Sequence, residues 1–222
     1  MADSHPLDQA TRLNEIATDH WQGEAIEAYS NMVGAFGGVV AASFLNAVQS
    51  DARMQGWPIS QTVNFCTGLA LGPFEIFTRL QRSGKYTQHW SLEMSQGGTA
   101  CATASVVTGQ RGQVYSHQPV QIPIVPSYKD CRPMPSVAPL NWLKSYEFRF
   151  VEGMPVMASG SLEAPGSART AVWMRDAPER PLDYLSLSAL SDGFLLRLLQ
   201  VRGTMVPSGT VTLTTHFLAS PD

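Results

Sequence analysis

The sequence predicts an α+β fold in which antiparallel strands follow a buried helix, and in which this arrangement occurs twice. The stretch Asn31–Asp51 is the strongest helix candidate, because Phe36, Val40 and Phe44 recur at helical spacing in an almost wholly apolar segment. Several strand-like segments follow it at short intervals. A second apolar helix candidate then precedes a β-branched strand near the C-terminus.

Composition excludes several classes of function. The chain has 222 residues and a net charge of −3, so it has the length for a real core and no basic surface suited to nucleic acid. No basic segment followed by an apolar core is visible near the N-terminus, so we expect no secretion signal, and no apolar run is long enough to span a membrane. Cys66, Cys101 and Cys131 are widely spaced, which argues against zinc or a disulfide framework. We expect a cytoplasmic protein without a metal or cofactor.

In the first half, a meander of antiparallel strands is predicted after the helix. The strand candidates span residues 61–68, 73–82, 86–96 and 99–109, and two of the connections are glycine-containing and hairpin-like. Two short extended segments within residues 12–28 predict a hairpin at a sheet edge before the helix.

The start of the first helix is rich in glycine. Gly34, Gly37 and Gly38 each disfavour a helix by about 1 kcal/mol relative to alanine, but they let another backbone or a ligand approach closely. First-turn amides have no partner within a helix, and the helix dipole favours negative charge there. Two alternatives stay open: the glycines serve only for packing, or they polarise a ligand carbonyl.

After a proline-rich stretch the pattern starts again. Strands are predicted at 143–153, 156–164 and 168–176, a helix at 182–201 and a strand at 209–222. We therefore predict an N-terminal unit over 1–110, a linker over 111–142 and a C-terminal unit over 143–222. On this repeat the second unit lacks about three strands, so we expect either a longer natural chain or a partner that covers the gap. The repeat also places the glycines of the first helix opposite Ser191–Gly193 of the second.

The sequence resembles the thioesterase-like superfamily that includes acyl-CoA thioesterase II. The segments that carry the resemblance are HPLDQAT at 5–11, WQGE at 21–24, NMVGAFGGVVAA at 31–42, TVNFCTGLALGP at 62–73, RSGKYTQHWSLEMSQGGTACATAS at 82–105, FRFVEGMP at 148–155, VWMRD at 172–176, LSALSDGFLLRLL at 187–199 and GTVTLTTHFLASP at 209–221. The resemblance implies a double hot-dog fold, in which two antiparallel sheets each wrap around a long central helix.

The resemblance also implies hydrolysis of acyl-CoA thioesters without a covalent nucleophile. Asp192 matches the family's catalytic aspartate, and Thr212 matches its catalytic threonine. The family's third polar group, a glutamine on a strand near its C-terminus, has no counterpart in this sequence. Thr214 occupies a position that is often aspartate in the bacterial thioesterase II proteins.

Direct attack by water needs a group that holds the water and donors for the developing oxyanion. Asp192 and Thr212 are the candidates for the first task. For the second, the candidates are the amides of Gly37 and Gly38 or those of the second helix near Asp192. Phe36, Thr214 and His216 are candidate substrate-binding residues, and Phe36 together with Phe44 and Trp90 is expected to line an acyl tunnel.

The sequence is also compatible with a non-catalytic acyl-binding or assembly protein, which would keep the fold without the chemistry. A hot-dog dehydratase is disfavoured because no His/Asp or His/Glu pair occurs in the helix region, and a serine triad because no Gly-x-Ser-x-Gly motif is present. By analogy with other hot-dog proteins, we expect a homo-oligomer that binds acyl-CoA.

Overall fold

A computed structural model describes the fold of the chain. The described residues are 4–113, 115, 117–134, 140–154, 157–158, 161–162, 169–194, 201–203 and 208–221. Parts of the predicted linker, of the strand predicted at 156–164 and of the helix predicted at 182–201 lie outside this set.

Short helices and many antiparallel strands make up the described fold. The helices are α1 (Pro6–Ala10), α2 (Gly37–Ser50), α3 (Asn141–Lys144) and α4 (Tyr184–Leu190). The strands are β1 (Asn14–Ala17), β2 (His20–Ala25), β3 (Ser30–Asn31), β4 (Gly34–Ala35), β5 (Trp57–Phe65), β6 (Gly72–Ser83), β7 (Thr87–Gln96), β8 (Thr99–Gly109), β9 (Arg132–Pro133), β10 (Tyr146–Glu152), β11 (Met157–Ala158), β12 (Ser161–Leu162), β13 (Ala171–Asp176) and β14 (Thr212–His216).

The largest sheet has seven antiparallel strands in the order β1-β2-β6-β7-β8-β5-β14. Strands β6 to β8 form the predicted meander, and β1 and β2 form the predicted edge hairpin. The last strand, β14, comes from the C-terminal part of the chain and pairs with β5, with Thr214 opposite Thr62. The two halves of the sequence therefore share one continuous sheet.

Helix α2 packs against one face of this sheet. Its buried side chains interlock with alternate residues of the strands, so that Phe44, Leu45, Val63, Ile76 and Trp90 form the centre of the core. The outer face of the sheet is polar along β5 and β14, because the residues that alternate with the core positions are serine, threonine, asparagine and histidine. This alternation is what a half-buried antiparallel sheet requires.

The predicted start of α2 is wrong by six residues. The helix begins at Gly37, whereas residues 30–35 form the small β3–β4 hairpin. Gly34 explains the difference, because its φ of +134° is incompatible with a helix and a Cβ there would lie 2.3 Å from the carbonyl oxygen of Leu69.

A second, three-stranded sheet in the order β13-β10-β9 joins the first half through an aromatic cluster. The ring of Phe36, directly before α2, stacks on Trp142 with centroids 4.1 Å apart. Tyr146 and Phe148 of β10 meet Trp142 edge-on. This cluster fixes the second half against the beginning of α2, and so against the glycine-rich turn.

The α+β class is confirmed, and so are the strands predicted at 73–82, 86–96 and 99–109, whereas the strand predicted at 61–68 is shifted and spans Trp57–Phe65. In the second half, the helix predicted to run without a break over 182–201 ends at Leu190, because residues 191–194 are not helical, and residues 195–200 of that prediction lie outside the described set. How the chain divides into two units and a linker stays a prediction. No helix in the described part of the chain has both the length and the apolar character needed to cross a membrane.

Candidate active site

The first turn of α2 meets the last turn of α4. A Cβ on Gly38 would lie 2.2 Å from the carbonyl oxygen of Ala189, which a side chain could not tolerate. Glycine therefore lets the two helices approach backbone to backbone at this point. The glycines that the sequence left open between packing and chemistry have a packing role, and they bring the open end of α2 next to Asp192.

Asp192 follows α4 and its carboxylate lies against the start of α2. Its Oδ2 atom would be 2.5 Å from a Cβ on Gly37, so a larger residue there would displace the carboxylate from this position. The backbone amide of Gly38 is within hydrogen-bonding reach of the carboxylate and stabilises its anion. On the solvent side, the Thr210 hydroxyl donates a hydrogen bond to Oδ1 at 3.2 Å. A helix N-terminus and a hydroxyl thus hold one carboxylate between them.

Burial raises the pKa of Asp192 to about 6, although the hydrogen bonds from Thr210 and Gly38 act in the opposite direction. No cation among the described residues offsets the burial. A carboxylate with such a pKa is mostly ionised at neutral pH and is still basic enough to accept a proton. Thr210 is solvent-exposed, so water can reach this carboxylate.

The structure corrects the expected pairing of Asp192 with Thr212. In β14, Leu213 and Thr215 face the helices, since they lie opposite Val63 and Gln61 of β5. Thr212 is on the opposite, exposed face of the sheet, which points away from the helices. Thr210, just before the strand begins, takes the position next to the acid.

Thr214 and His216 share the outer face with Thr212, because strand residues two apart point the same way. Thr214 lies 3.1 Å, Oγ1 to Oγ1, from Thr62, on the face of the sheet that points away from the helices. The structure therefore does not bring Thr214 and His216 to Asp192, and their role in substrate binding stays a prediction.

The other predicted residues lie close to Asp192 or in the core. Phe36 is 2 % exposed and its ring covers Gly38, so it forms the floor beneath the start of α2. Phe65, at the end of β5, reaches Gly37 from the other side. Phe44 and Trp90, which were expected to line a tunnel, are packed in the core at 0 % and 2 % exposure.

The expected equivalence between the glycines of α2 and Ser191–Gly193 is wrong. The glycines open α2, whereas Ser191 and Asp192 close α4. By position, the counterpart of Ser191-Asp192 is Ser50-Asp51, the pair that closes α2. Sequence reasoning could have found this match, because an apolar stretch directly precedes a Ser-Asp pair in both halves.

Thr210 carried no signal of its own in the sequence, since it is one of four threonines near the start of the strand predicted at 209–222. Within the described ranges, no group of three histidine, cysteine, aspartate or glutamate side chains is arranged to hold a metal ion.

A central helix packed on an antiparallel sheet, with an acid seated on the helix N-terminus, defines a hot-dog protein with a polar site between its two halves. Sequence models of the acyl-CoA thioesterase N-terminal domain and C-terminal domain match residues 26–109 and 128–222. The chain belongs to the acyl-CoA thioesterase family.

Solved structures agree with this fold. A conserved hot-dog protein of unknown function from Alicyclobacillus acidocaldarius has 38% sequence identity and a TM-score of 0.91, over 98% of this chain and 80% of that one. An acyl-CoA thioesterase II, TesB2, from Mycobacterium marinum has 19% identity and a TM-score of 0.66, over 88% and 71% of the two chains. The tesB protein of Mycobacterium avium subs. paratuberculosis has 17% identity and a TM-score of 0.74, over 96% and 80%. Among curated proteins, no sequence matches the chain.

Proposed function

We propose that the protein hydrolyses acyl-CoA thioesters by direct attack of water, with Asp192 as the general base. The observation that carries this proposal is the environment of Asp192. Its half-buried carboxylate lies between the start of α2 and the exposed Thr210, and its pKa is raised to about 6. Family membership supplies the substrate class. Asp192 keeps the role that the sequence suggested, and Thr210 replaces Thr212 as its hydroxyl partner.

In the proposed reaction, the ionised Asp192 accepts a proton from a bound water as its oxygen attacks the thioester carbonyl carbon. A tetrahedral intermediate forms, and its carbonyl oxygen carries the negative charge. Collapse of the intermediate breaks the C–S bond and expels the thiolate of CoA, which takes the proton from Asp192. The products are a carboxylic acid and free CoA, and Asp192 is ionised again.

The oxyanion of the intermediate requires backbone donors. The first turn of α2 offers them, because the amides of Val39 and Val40 bond to the carbonyl of Phe36 while Gly37 and Gly38 precede the internal hydrogen bonds of the helix. Since the Gly38 amide faces Asp192, we assign the amide of Gly37 to the substrate carbonyl. A homo-oligomeric state and a cytoplasmic location stay predictions.

The test is thiol release from a panel of acyl-CoAs of different chain length, measured from pH 4.5 to 9 with a thiol reagent. A base must be ionised to act, so kcat/KM should rise with pH, reach half its maximum at about pH 6 and then level off. The Asp192→Asn variant should lack this rise because asparagine at position 192 does not titrate.

Absence of thiol release above background with every acyl-CoA would refute the hydrolase proposal. Equilibrium binding of a non-hydrolysable acyl-CoA thioether, measured in parallel by calorimetry, would then identify an acyl-binding protein. A rate that rises in the same way in Asp192→Asn would assign the base to another residue.

A further inference from the structure

Gln61 is a polar side chain buried in the core beneath the site. It lies in β5, faces α2 and is only 1 % exposed. Its side-chain amide donates a hydrogen bond to the backbone carbonyl of Ala41 in α2, with Nε2 and O 2.7 Å apart. Its side-chain carbonyl accepts a hydrogen bond from the hydroxyl of Ser188 in α4 at 2.8 Å. One amide group therefore joins the two helices that form the site.

The two contacts lie about one helical turn from the reactive groups. Ala41 is three residues after Gly38, and Ser188 is four residues before Asp192. Ser188 is completely buried, so the bond between it and Gln61 is shielded from competing water. A shift of either helix along the other would lengthen or break these hydrogen bonds.

A second tie runs from β14 to the end of α4. Thr215 lies directly opposite Gln61 across the strand pair, and its hydroxyl donates to the Ser191 hydroxyl at 3.0 Å. Ser191 in turn donates to the carbonyl of Ser188 at 2.7 Å. The residue before Asp192 is thus held by the same row of the sheet that holds Ser188.

We propose that Gln61 is a positioning residue of the hydrolase site, acting through Ser188 to hold Asp192 against the first turn of α2. The inference rests on the hydrolase function proposed above. A purely apolar core would fill the same space, but it would leave the end of α4 free to slide on α2. Because hydrogen bonds depend on angle as well as on distance, the two bonds of Gln61 restrict both the separation of the helices and their offset along each other.

Gln61→Leu keeps the size of the side chain and removes both hydrogen bonds. Gln88→Leu is the matched control, since Gln88 is also 1 % exposed, lies in β7 of the same sheet, and hydrogen-bonds at Arg53 and Gln55, beyond the opposite end of α2. Both substitutions should lower the melting temperature. Only Gln61→Leu should lower kcat, by about tenfold or more, with KM changed by less than about twofold.

Ser188→Ala and the double variant test whether Gln61 acts through Ser188. If it does, Ser188→Ala lowers kcat to a similar extent, and the double variant is no worse than the poorer single variant. Independent losses that multiply in the double variant would overturn the route through Ser188. If Gln61→Leu does not fold, Ser188→Ala takes its place, because it removes only one hydroxyl. The positioning role then requires that Ser188→Ala lowers kcat and Gln88→Leu does not.

A titration of the Asp192 carboxyl by carbon-detected NMR needs no activity and separates this proposal from the hydrolase proposal. Loosening of α4 should admit water and lower the pKa of Asp192 from about 6 by about half a pH unit or more in Gln61→Leu and Ser188→Ala, but not in Gln88→Leu. Unchanged kcat and an unchanged Asp192 titration in both variants would overturn the positioning role, whereas an inactive wild type with the expected titration shifts would refute hydrolysis alone.

Discussion

The two central helices end in the same dipeptide but in opposite chemical environments. After α2, the Asp51 carboxylate receives three hydrogen bonds from Arg53, two of them from the guanidinium, and its pKa falls. After α4, burial raises the pKa of Asp192 to about 6, because its hydroxyl and amide partners offset the burial only in part and no cation among the described residues adds to them. The two acids occupy corresponding positions in the fold, and they differ in burial and in the arginine that pairs with Asp51.

The arginine also changes the structural task of Asp51. Arg53 extends from Asp51 to Asp19 in the turn between β1 and β2, and its guanidinium lies over the ring of Trp90, 5.6 Å from the centroid. Asp51 thus anchors the edge hairpin to the end of α2. Asp192 forms no such anchoring contact with an arginine among the described residues, so its carboxylate stays available to a ligand.

The largest expected effect is on catalysis. Asp192→Asn should lower kcat/KM for acyl-CoA hydrolysis by about 100-fold or more, because the amide cannot accept a proton from water. Asp51→Asn should leave the rate of folded protein within about twofold of wild type, since Asp51 titrates far below neutral pH and is bound to arginine. If Asp192→Asn and Asp51→Asn lost the same fraction of kcat/KM at equal amounts of folded protein, Asp192 would have no special role in catalysis.

The next effect is on stability, and it should have opposite signs at the two sites. A carboxylate with a raised pKa destabilises the folded state above that pKa, and the penalty disappears as the pH falls below the value in the unfolded chain. Asp192→Asn should therefore stabilise the protein at pH 8 by on the order of 3 kcal/mol, and the gain should vanish near pH 4.

Asp51 has a lowered pKa, so its ionised form stabilises the folded state above the unfolded value and this contribution is lost in acid. Asp51→Asn should accordingly destabilise the protein at pH 8. Urea unfolding of both variants at pH 4, 6 and 8 measures the two trends. If Asp192→Asn destabilised the protein at pH 8, the prediction would be wrong, and the Asp192 carboxylate would be better solvated than its burial implies.

The smallest effect concerns the hydroxyl beside the acid. Thr210→Val keeps the shape and removes the hydrogen bond to Asp192, so kcat should fall by about fivefold and the half-maximal pH should rise slightly. Thr212→Val is the control, because Thr212 lies on the outer face of β14 and should tolerate valine without loss of rate. A larger loss in Thr212→Val than in Thr210→Val would restore the pairing that the sequence suggested.

Strand positions in the first half could be predicted from the sequence because local alternation determines them. The segments predicted at 73–82, 86–96 and 99–109 agree with β6, β7 and β8 to within a residue or so at either end. Their connections are short, so neighbouring strands in sequence are neighbours in the sheet. The start of α2 was harder, since Met32 and Val33 continue the apolar pattern while the backbone at Gly34 is not helical.

The site could be predicted only in part. Asp192 stood out as an acid between apolar neighbours within the helix predicted at 182–201, at the position that matches the family's catalytic aspartate. Thr210 and Gln61 did not stand out, because each is a polar residue within a segment predicted as a strand, at 209–222 and 61–68. Both acquire their roles from contacts between distant segments, and such contacts have no periodic signature in one sequence.

The pairing of β14 with β5 also sets an order of events during synthesis. Thr62 and Thr214 meet across 152 residues of sequence, so a ribosome completes β5 long before its outer neighbour exists. Closing so long a loop is slow compared with forming the local hairpins. We therefore expect nascent chains to hold a preformed meander in which the edge of β5 is unpaired. The contact between Thr210 and Asp192 should form only when β14 pairs with β5.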